Sequence, residues 1–498
     1  MSFDSALPLL VVASSLVPGC FIFLLGEKQK TLRTALNLAG AVIKVVLVAV
    51  MLWGVSRHHL YEVRYALVEG FDFGLHADPF SLLFVTLSAV LWLLTTIYAV
   101  GYLEGSAHQR RFFGFFSLCV SATTGIALAA NLLTFLIFYE MLTLTTYPLV
   151  VHRGTGKSLR AGRLYLLYAL SGGAALLLGV VWLQSLVGPI EFSERGILSQ
   201  ADVGLYGPLR IIFALMIAGF GVKAALVPLH GWLPEAMVAP APVSALLHAV
   251  AVVKAGAFGI VRVVYDVYGV EFCTVLGVAT PLAVAASITI LYGSVRALYQ
   301  DDLKRRLAYS TVSQVSYIVL GTAVLGPLAT TGGIVHLVHQ GVMKITLFFA
   351  AGNLAETLGV KKIADLRGTG RRMPGTMAAF TIAALGMIGL PPTAGFISKW
   401  FLATGAAAAQ QWWVIGVLVS SSVLNAIYFL PIIYAAWFQT PPEAWPAEHP
   451  RGRFETSLQL LIPPLVTAAL TLLMGLLAGL PISALDWAKL IVSREYQR

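Results

Sequence analysis

Long apolar runs of about 20 residues, separated by short polar segments, make up most of the chain. A run of that length lets a helix cross the hydrocarbon core of a bilayer. The pattern predicts 14 such spans, which begin near Leu7, Leu36, Phe80, Phe112, Leu132, Leu164, Ile211, Pro242, Phe272, Leu307, Ile334, Met377, Trp412 and Leu458. We therefore expect an all-α integral membrane protein, a single polytopic domain over residues 1–498 with no separate soluble domain.

Composition agrees with this pattern and excludes several functions. Only 11% of the 498 residues are charged, whereas a soluble domain has about 25%. The three cysteines, Cys20, Cys119 and Cys273, are scattered among apolar residues and form no CxxC pair. The chain has no dinucleotide or flavin fingerprint. We therefore expect no cofactor, no metal and no redox site in this chain.

Positive charge marks the orientation of the spans. The net charge of +10 lies mostly in alternate short loops, for example 28–33, 153–163 and 361–372, and this placement argues against nucleic acid as a partner. Basic loops face the cytoplasm. With an even number of spans, both termini are expected on the opposite side of a bacterial or archaeal cytoplasmic membrane. The first span lacks a basic leader, so we expect it to be retained.

Two predicted spans are interrupted by proline beside a lysine. In the seventh, GFGVKAALVPLHGWLPE, Lys223 lies five residues before Pro228. In the twelfth, MIGLPPTAGFISKWF, Lys399 lies seven residues after Pro392. Such breaks are tolerated in a membrane only where protein or a water-filled cavity satisfies the freed backbone groups.

The two breaks lie five spans apart, so a second copy of a five-span unit would enter the membrane from the opposite side. This spacing predicts two inverted repeats, spans 4–8 over about 112–265 and spans 9–13 over about 272–437. The alternative is that the prolines are only the common prolines of membrane helices.

Ionisable residues recur inside the apolar stretches. Lys223, Lys254, Lys344 and Lys399 are the basic ones, and Glu140 in LTFLIFYEMLTLTTYP is the acidic one. A charge at bilayer depth costs roughly 2.5–3.5 kcal/mol on insertion scales, so such residues usually serve a function. A series of buried ionisable groups is what a proton or cation path requires. A lysine near a helix end can also snorkel to the interface, and that alternative stays open.

Glu140 and Lys223 can act as a switch if they meet. Burial disfavours a charged amine, and a nearby carboxylate restores it. A closed pair therefore keeps the proton on the lysine, and an open pair releases it to the next site.

Histidines extend the series toward the second half of the chain. His336 and His339 are about one helical turn apart, and His336 and Lys344 differ by about 80° around an ideal helix, so all three can line one path. His248 and Lys254 point about 120° apart and are expected to face different partners. His248 can also be an ordinary core histidine.

Five segments then occur in order along the chain: FYEMLTLTTYPLV, GVKAALVPLHGWLPEAMVAPAPVSALLHAVAVVKAGAFGIVR, DDLKRRLAYSTVSQVSYIVLG, HLVHQGVMKITLFFAAG and GLPPTAGFISKW. Together they resemble the antiporter-like membrane subunits of respiratory complex I, of membrane-bound hydrogenases and of Mrp-type cation/proton antiporters. The resemblance covers roughly residues 70 to 440. It implies 14 helices with two inverted five-helix repeats, broken seventh and twelfth helices, and proton movement along a hydrated central axis.

The resemblance also implies roles for single residues. Glu140 matches the glutamate of the family's fifth helix, and Lys223 the seventh-helix lysine with which it pairs. Lys254 matches the eighth-helix lysine that relays protons toward the second half-channel. His248 matches a histidine found in some members. Lys399 matches the terminal charge of the twelfth helix, where one complex I branch has glutamate instead.

The eleventh helix carries the remaining matches. His336, His339 and Lys344 correspond to the family's ionisable cluster there, and the spacing of the last two is most similar to that of the D-type subunits of Mrp antiporters. Lys44, inside the second span, has no counterpart in the pattern.

The leading interpretation is a proton-translocating subunit of a multi-subunit membrane complex, with any electron chemistry in other subunits. The resemblance implies a second antiporter-like subunit and small Mrp-like or complex I-like subunits as partners, besides the lipid bilayer. One alternative is a sodium/proton exchange subunit of an Mrp-type antiporter. Alternatives of other classes are an ion-driven carrier of a small solute and a structural anchor for a peripheral enzyme.

Overall fold

Helices dominate the computed structural model, which describes residues 3–57, 59–68, 71–199, 201–449 and 454–496. The α-helices are, in chain order, α1 (Phe3–Ile22), α2 (Lys30–Val55), α3 (Pro79–Tyr102), α4 (Gln109–Leu128), α5 (Leu132–Val150), α6 (Gly156–Val187), α7 (Tyr206–Lys223), α8 (Trp232–Glu235), α9 (Ala241–Ala249), α10 (Val252–Arg262), α11 (Val270–Leu276), α12 (Ala279–Leu298), α13 (Leu303–Ala323), α14 (Pro327–Leu358), α15 (Thr369–Arg372), α16 (Pro374–Ile388), α17 (Ala394–Ala408), α18 (Trp412–Phe438), α19 (Leu458–Leu476) and α20 (Ala484–Tyr496).

Shorter elements complete the chain. Three 3₁₀ turns cover Val203–Leu205, Ala236–Val238 and Ile363–Leu366, and a π-helix, Val263–Tyr268, continues α10. Between α2 and α3 lies an antiparallel hairpin that the sequence pattern did not indicate. Its strands are β1 (Glu62–Val68) and β2 (Phe71–His76).

Twelve helical segments of the described chain are long and apolar enough to cross a membrane. The prediction of an all-α membrane protein is thereby confirmed. Two of the predicted spans do not meet that criterion. The helix α13 is too polar, because LKRRLAYSTVSQVSY carries three basic residues and many hydroxyls, yet nearly all of it is buried against other helices. The twelfth span is divided into α16 and α17, each of 15 residues.

The predicted start of the ninth span at Phe272 is wrong. Phe272 belongs to the short helix α11, and the spanning helix α12 begins only at Ala279. Gly277 separates them with φ +69°, a left-handed conformation that ends a helix and that glycine adopts without strain.

The centre of the bundle is α14. It and the segment from α9 through the π-helix each contain an apolar stretch of 18 residues that is fully buried. Its 32 residues extend about 48 Å and pack against α9, α13, α16, α17 and α19. Side chains that meet along α14 are therefore shielded from lipid on every side.

The predicted breaks of the seventh and twelfth spans are present. The helix α7 ends at Lys223, and the next helix, α8, begins at Trp232. The indole N–H of Trp232 donates to the carbonyl of Val222 at 2.7 Å and so connects the two sides of the break. The helix α16 ends at Ile388, and α17 begins at Ala394. The repeat boundaries at about 112–265 and 272–437 stay a prediction.

A third break, not predicted from the sequence, divides the eighth span. The helix α9 ends at Ala249 and α10 begins at Val252, with no proline or glycine between them. The N–H groups of Val250 and Ala251 both donate to the carbonyl of Leu246. The interruption separates His248 from Lys254.

Glycine at position 256 allows the closest helix contact near the seventh-span break. A Cβ atom there would lie 2.3 Å from the backbone nitrogen of Ala224. We expect Gly256→Ala to destabilise the protein by about 1–3 kcal/mol, because backbone atoms cannot yield the space. The matched control is Gly416→Ala on α18, where no atom lies within 4 Å of the added methyl. Thermal unfolding of the purified protein checks both, and equal melting temperatures for Gly256→Ala and wild type would contradict the packing argument.

Candidate functional site

The first lysine of the series ends α7. Lys223 is 1% exposed, donates a hydrogen bond to the carbonyl of Tyr139 on α5, and lies 3.3 Å from the centroid of the Tyr139 ring. Glu140, the next residue, is half-buried and packs against Gly173 of α6. Its Oε1 has no hydrogen-bond partner among the described residues. Lys223 is thus bound beside Glu140 and forms no ion pair with it in this structure.

The second lysine connects α10 with the central helix α14. Lys254 on α10 is fully buried and donates to the carbonyl of Leu337 on α14 at 2.7 Å. Gly256, two residues later, holds α10 against the backbone at the end of α7. Consequently α10 lies between the Lys223 region and the central helix.

The central helix α14 brings together the predicted histidines. The Nδ1 atom of His336 lies 2.8 Å from the hydroxyl of Ser398 on α17, and its ring lies 5.3 Å from that of Tyr317 on α13. Lys254 and Lys399 are both close enough to act electrostatically on His336. His339, one turn further, is also buried.

The last two lysines lie on either side of α13 and α18. Lys344 donates to the hydroxyl of Ser310 at 2.6 Å. Lys399 donates to the carbonyls of Met387 and Ile388 at 3.0 and 2.9 Å and to the hydroxyl of Ser422 at 3.0 Å. Lys399 therefore satisfies two carbonyls that the twelfth-span break releases.

A chain of hydrogen bonds connects these two lysines. From Lys344, Ser310 contacts the Tyr428 hydroxyl at 2.8 Å, and that hydroxyl donates to Oδ1 of Asn425 at 2.6 Å. The Asn425 amide donates to the Met387 carbonyl at 3.1 Å, which Lys399 also binds. Sequence reasoning missed Ser310, Asn425 and Tyr428. The only available signal was the polarity of STVSQVSY in α13 and the three-residue spacing of Asn425 and Tyr428.

Two buried groups lie outside this chain of contacts. His248 stacks on Phe348 of α14 at 4.5 Å between ring centroids, about 16 Å along that helix from the Leu337 carbonyl that Lys254 binds. Lys44 lies in the outer bundle, where it donates to Ser15 at 2.8 Å and to Thr124 at 2.7 Å. The structure thus separates Lys44 from the other lysines.

Neutral acceptors surround every lysine of the series. Among the described carboxylates, none forms an ion pair with Lys223, Lys254, Lys344 or Lys399. Carbonyl and hydroxyl oxygens stabilise an ammonium without neutralising it. A proton on such an amine is held by hydrogen bonds alone, so the site can gain or lose it without breaking a buried ion pair.

Buried polar atoms without a protein partner are concentrated around α13 and α14. Within the described part of the chain, they include side-chain atoms of His248, Gln314, Tyr317, His336, His339 and Gln340. Buried polar groups in native proteins are nearly always hydrogen-bonded, often to ordered water. This region therefore has the composition of a hydrated interior.

Comparisons with known proteins show the family of the chain. Residues 129–425 match the family model described as "NADH:quinone oxidoreductase/Mrp antiporter, TM", and residues 69–113 match "NADH-Ubiquinone oxidoreductase (complex I), chain 5 N-terminus". The chain is 37% identical over 415 residues to NADH-quinone oxidoreductase subunit N of Desulforudis audaxviator (strain MP104C), with 80% of this chain and 81% of that relative covered.

A relative from another branch and a solved structure extend the likeness. Na(+)/H(+) antiporter subunit A1 of Staphylococcus aureus (strain JH9) is 30% identical over 440 residues, which cover 82% of this chain and 53% of that relative. A chain of the Mrp complex from Dietzia sp. DQ12-45-1b superposes with a TM-score of 0.88 at 26% identity, covering 100% of this chain and 98% of that chain. The protein described here belongs to the family of antiporter-like membrane subunits shared by complex I and Mrp antiporters.

Proposed function

We propose that this chain is a proton-translocating subunit of a multi-subunit membrane complex. The observation that carries the proposal is the series of buried amines and imidazoles that extends across α7, α10, α14 and α17 with neutral hydrogen-bond partners only. The residues of the proposed path are Glu140, Lys223, Lys254, His248, His336, His339, Lys344 and Lys399. His248 lies outside the chain of contacts, and we include it because it stacks on Phe348, one turn beyond Lys344 on α14.

Proton transfer begins at the Glu140–Lys223 switch. Lys223 is bound to the backbone of the residue before Glu140, so a change of side-chain torsion is enough to move its ammonium between carbonyl and carboxylate. Closing the pair favours the protonated amine, and opening it favours release. Lys254 receives the proton and passes it to the histidines on α14.

The polar network between Lys344 and Lys399 provides part of the route for the last proton transfer, from Lys344 to Lys399. The hydroxyls of Ser310 and Tyr428 can both accept and donate a proton. The Asn425 amide cannot relay a proton in this way, so it orients Tyr428 and the Met387 carbonyl. Water between the unpartnered polar atoms completes the path.

A sodium/proton exchange role within an Mrp-type antiporter, as a subunit of the D type, is the second candidate. The likeness to a chain of the Mrp complex over the whole length and the lysine at position 399 support it. In either case the partners are a second antiporter-like subunit and small membrane subunits. The location is the cytoplasmic membrane of a bacterium or archaeon, with both termini on the non-cytoplasmic side.

The switch is tested by changing each member. We expect Glu140→Gln and Lys223→Ala to abolish proton movement in proteoliposomes containing the assembled complex, because the pair can no longer close. Lys223→Arg should fail as well, since a guanidinium does not release its proton in the useful range. Lys28→Ala, in the exposed loop before α2, is the control and should transport normally. Wild-type rates in Glu140→Gln or Lys223→Ala at equal assembly would refute the switch.

The hydroxyl of Tyr428 is tested separately. Tyr428→Phe leaves the ring in place and removes the contact between Ser310 and Asn425, so we expect proton transport to fall about ten-fold with assembly intact. Tyr434→Phe is the control, since Tyr434 lies on the same helix and is 58% exposed. Transport rates in proteoliposomes decide, and equal rates for the two variants would exclude a role for the network.

Orientation is tested with one accessible cysteine at a time in a Cys20→Ser background, in which the remaining Cys119 and Cys273 are buried. Lys28→Cys should react with a membrane-impermeant maleimide only from the cytoplasm, and Val203→Cys only from the other side. The reason is the excess of lysine and arginine in the loops on the Lys28 side. Labelling of the two positions from the same side, or in the reverse sense, would contradict the proposed topology.

A further inference from the structure

A cavity of about 510 Å³ lies on the side of the membrane that carries both termini. It is bounded by the start of α3, the end of the eighth span, the segment before α7, the second turn of α14, and α20. The ion pair of Arg494 with Glu194, at 3.2 Å, lies at its exposed rim. None of the proposed path residues lines it, so its charges need a separate explanation.

The charges of the cavity do not balance. Arg262, 3% exposed, forms ion pairs with both Asp78 at 2.7 Å and Asp266 at 2.8 Å, and its Nε has no partner among the described residues. Glu495 of α20, 8% exposed, accepts a hydrogen bond from the backbone N–H of Arg195 at 2.8 Å. No cationic side chain of the described residues pairs with it. Three carboxyls therefore share one guanidinium.

A bound proton removes this excess of negative charge at the lowest free-energy cost, because an unpaired buried carboxylate is strongly unfavourable. Burial raises the pKa of Glu495 to about 9, and the charge of Asp266 contributes to the rise. Burial also opposes ionisation of Asp78, but Arg262, His76 and the backbone N–H of Ser81 together outweigh it and keep the pKa of Asp78 below its usual value. Asp78 and Asp266 both pair with Arg262, whereas Glu495 has only a backbone N–H as its partner, so Glu495 is the carboxyl that we expect to hold the proton.

The cavity also reaches toward the central helix. Tyr265, beside Asp266, lines the cavity, and its hydroxyl lies 2.7 Å from that of Thr330 on α14. Tyr496 contacts the same hydroxyl at 2.9 Å. His336 follows Thr330 by six residues, about 9 Å along α14, and its Nε2 is unpartnered among the described residues. The hydroxyls of Tyr265, Thr330 and Tyr496 thus lie between the carboxyl cluster and α14. Thr330 and His336 point about 120° apart around α14, so we propose that water joins this hydroxyl group to the buried path.

We propose that the carboxyl cluster of Asp78, Asp266 and Glu495 is the place where the proton path exchanges with water on the side of the termini, with Glu495 holding and releasing the proton. This inference rests on the proposed proton translocation. Glu495 gives its proton to water and becomes a carboxylate, which the path then reprotonates through the Tyr265 region. The other titratable or charged groups in or beside this cavity are His59, His76, Glu194, Arg195, Arg262, Tyr265, Arg494 and Tyr496, and His76 acts on Asp78.

The test uses the intact complex in proteoliposomes with the pH on each side set independently. Glu495→Gln keeps the shape and the acceptor for the Arg195 N–H. We expect its transport rate to fall about ten-fold and to lose its dependence on pH on the side of the termini, while the dependence on the other side persists. Asp486→Asn is the matched control, because Asp486 is an exposed carboxylate of the same helix that does not line the cavity, and it should keep the wild-type rate and profile. A wild-type rate and profile in Glu495→Gln overturns the proposal.

A second readout does not depend on activity. Infrared difference spectra of the wild-type complex should show a protonated carboxyl that titrates in the alkaline range and is missing in Glu495→Gln. Absence of that band in the wild type overturns the proposal even if the variant does not assemble. Lys399→Ala separates the proposed path from the proposed exchange site. Normal transport by Lys399→Ala refutes proton translocation through the path. If Lys399→Ala loses transport while Glu495→Gln transports at the wild-type rate, only the exchange site is refuted.

Discussion

A backbone carbonyl released inside a membrane bundle must find a donor, because lipid offers none. The broken seventh and twelfth spans depend on this constraint. Trp232 supplies the donor for Val222, and Lys399 supplies it for Met387 and Ile388. A single lysine thus closes a helix break and, in the proposed path, also carries the transferred proton. The charge state of Lys399 and the geometry of the break are consequently coupled, since an uncharged amine has fewer donors for the same carbonyls.

The same reasoning explains why the interior can be both polar and stable. The central helix α14 is enclosed by other helices, so its histidines and lysine never meet lipid. Its partners are hydroxyls and carbonyls of neighbouring helices, which hold the amines in place without fixing their charge. A counter-ion at each lysine would make the bundle more rigid and would trap the proton.

Much of the fold could be predicted from the sequence because lipid imposes length and polarity on each span. The breaks at Pro228 and Pro392 were predictable, since proline removes a donor wherever it occurs. The hairpin of β1 and β2 was not predicted, although EVRY and FDFGLH alternate apolar and polar residues, because its strands are only seven and six residues long and lie between two long apolar spans. The short helix α11 was merged into the ninth span, because Gly277 is one small residue in an otherwise apolar stretch.

For the site, the ionisable residues could be named from the sequence, because a charge in an apolar run is conspicuous. Their hydrogen-bond partners could not. Ser310 and Tyr428 are 118 residues apart, and serine and tyrosine are ordinary residues in membrane helices. Position inside an apolar run also did not distinguish Lys44 from the four lysines of the series. Only the packing shows that its partners, Ser15 and Thr124, belong to the outer bundle.

The interruption of the eighth span has a further consequence. The residues between α9 and α10 are valine and alanine, which form helices elsewhere in this chain, so nothing local obliges the backbone to leave the helix there. The facing residue on α14 is Gly341, where a Cβ would lie 2.9 Å from the carbonyl of Ala249. A glycine of α14 therefore provides the space that the bend of the eighth span needs. We therefore expect that grafting the eighth span alone into a related bundle would not transfer its bend. The facing residues of α14 would have to be grafted together with it.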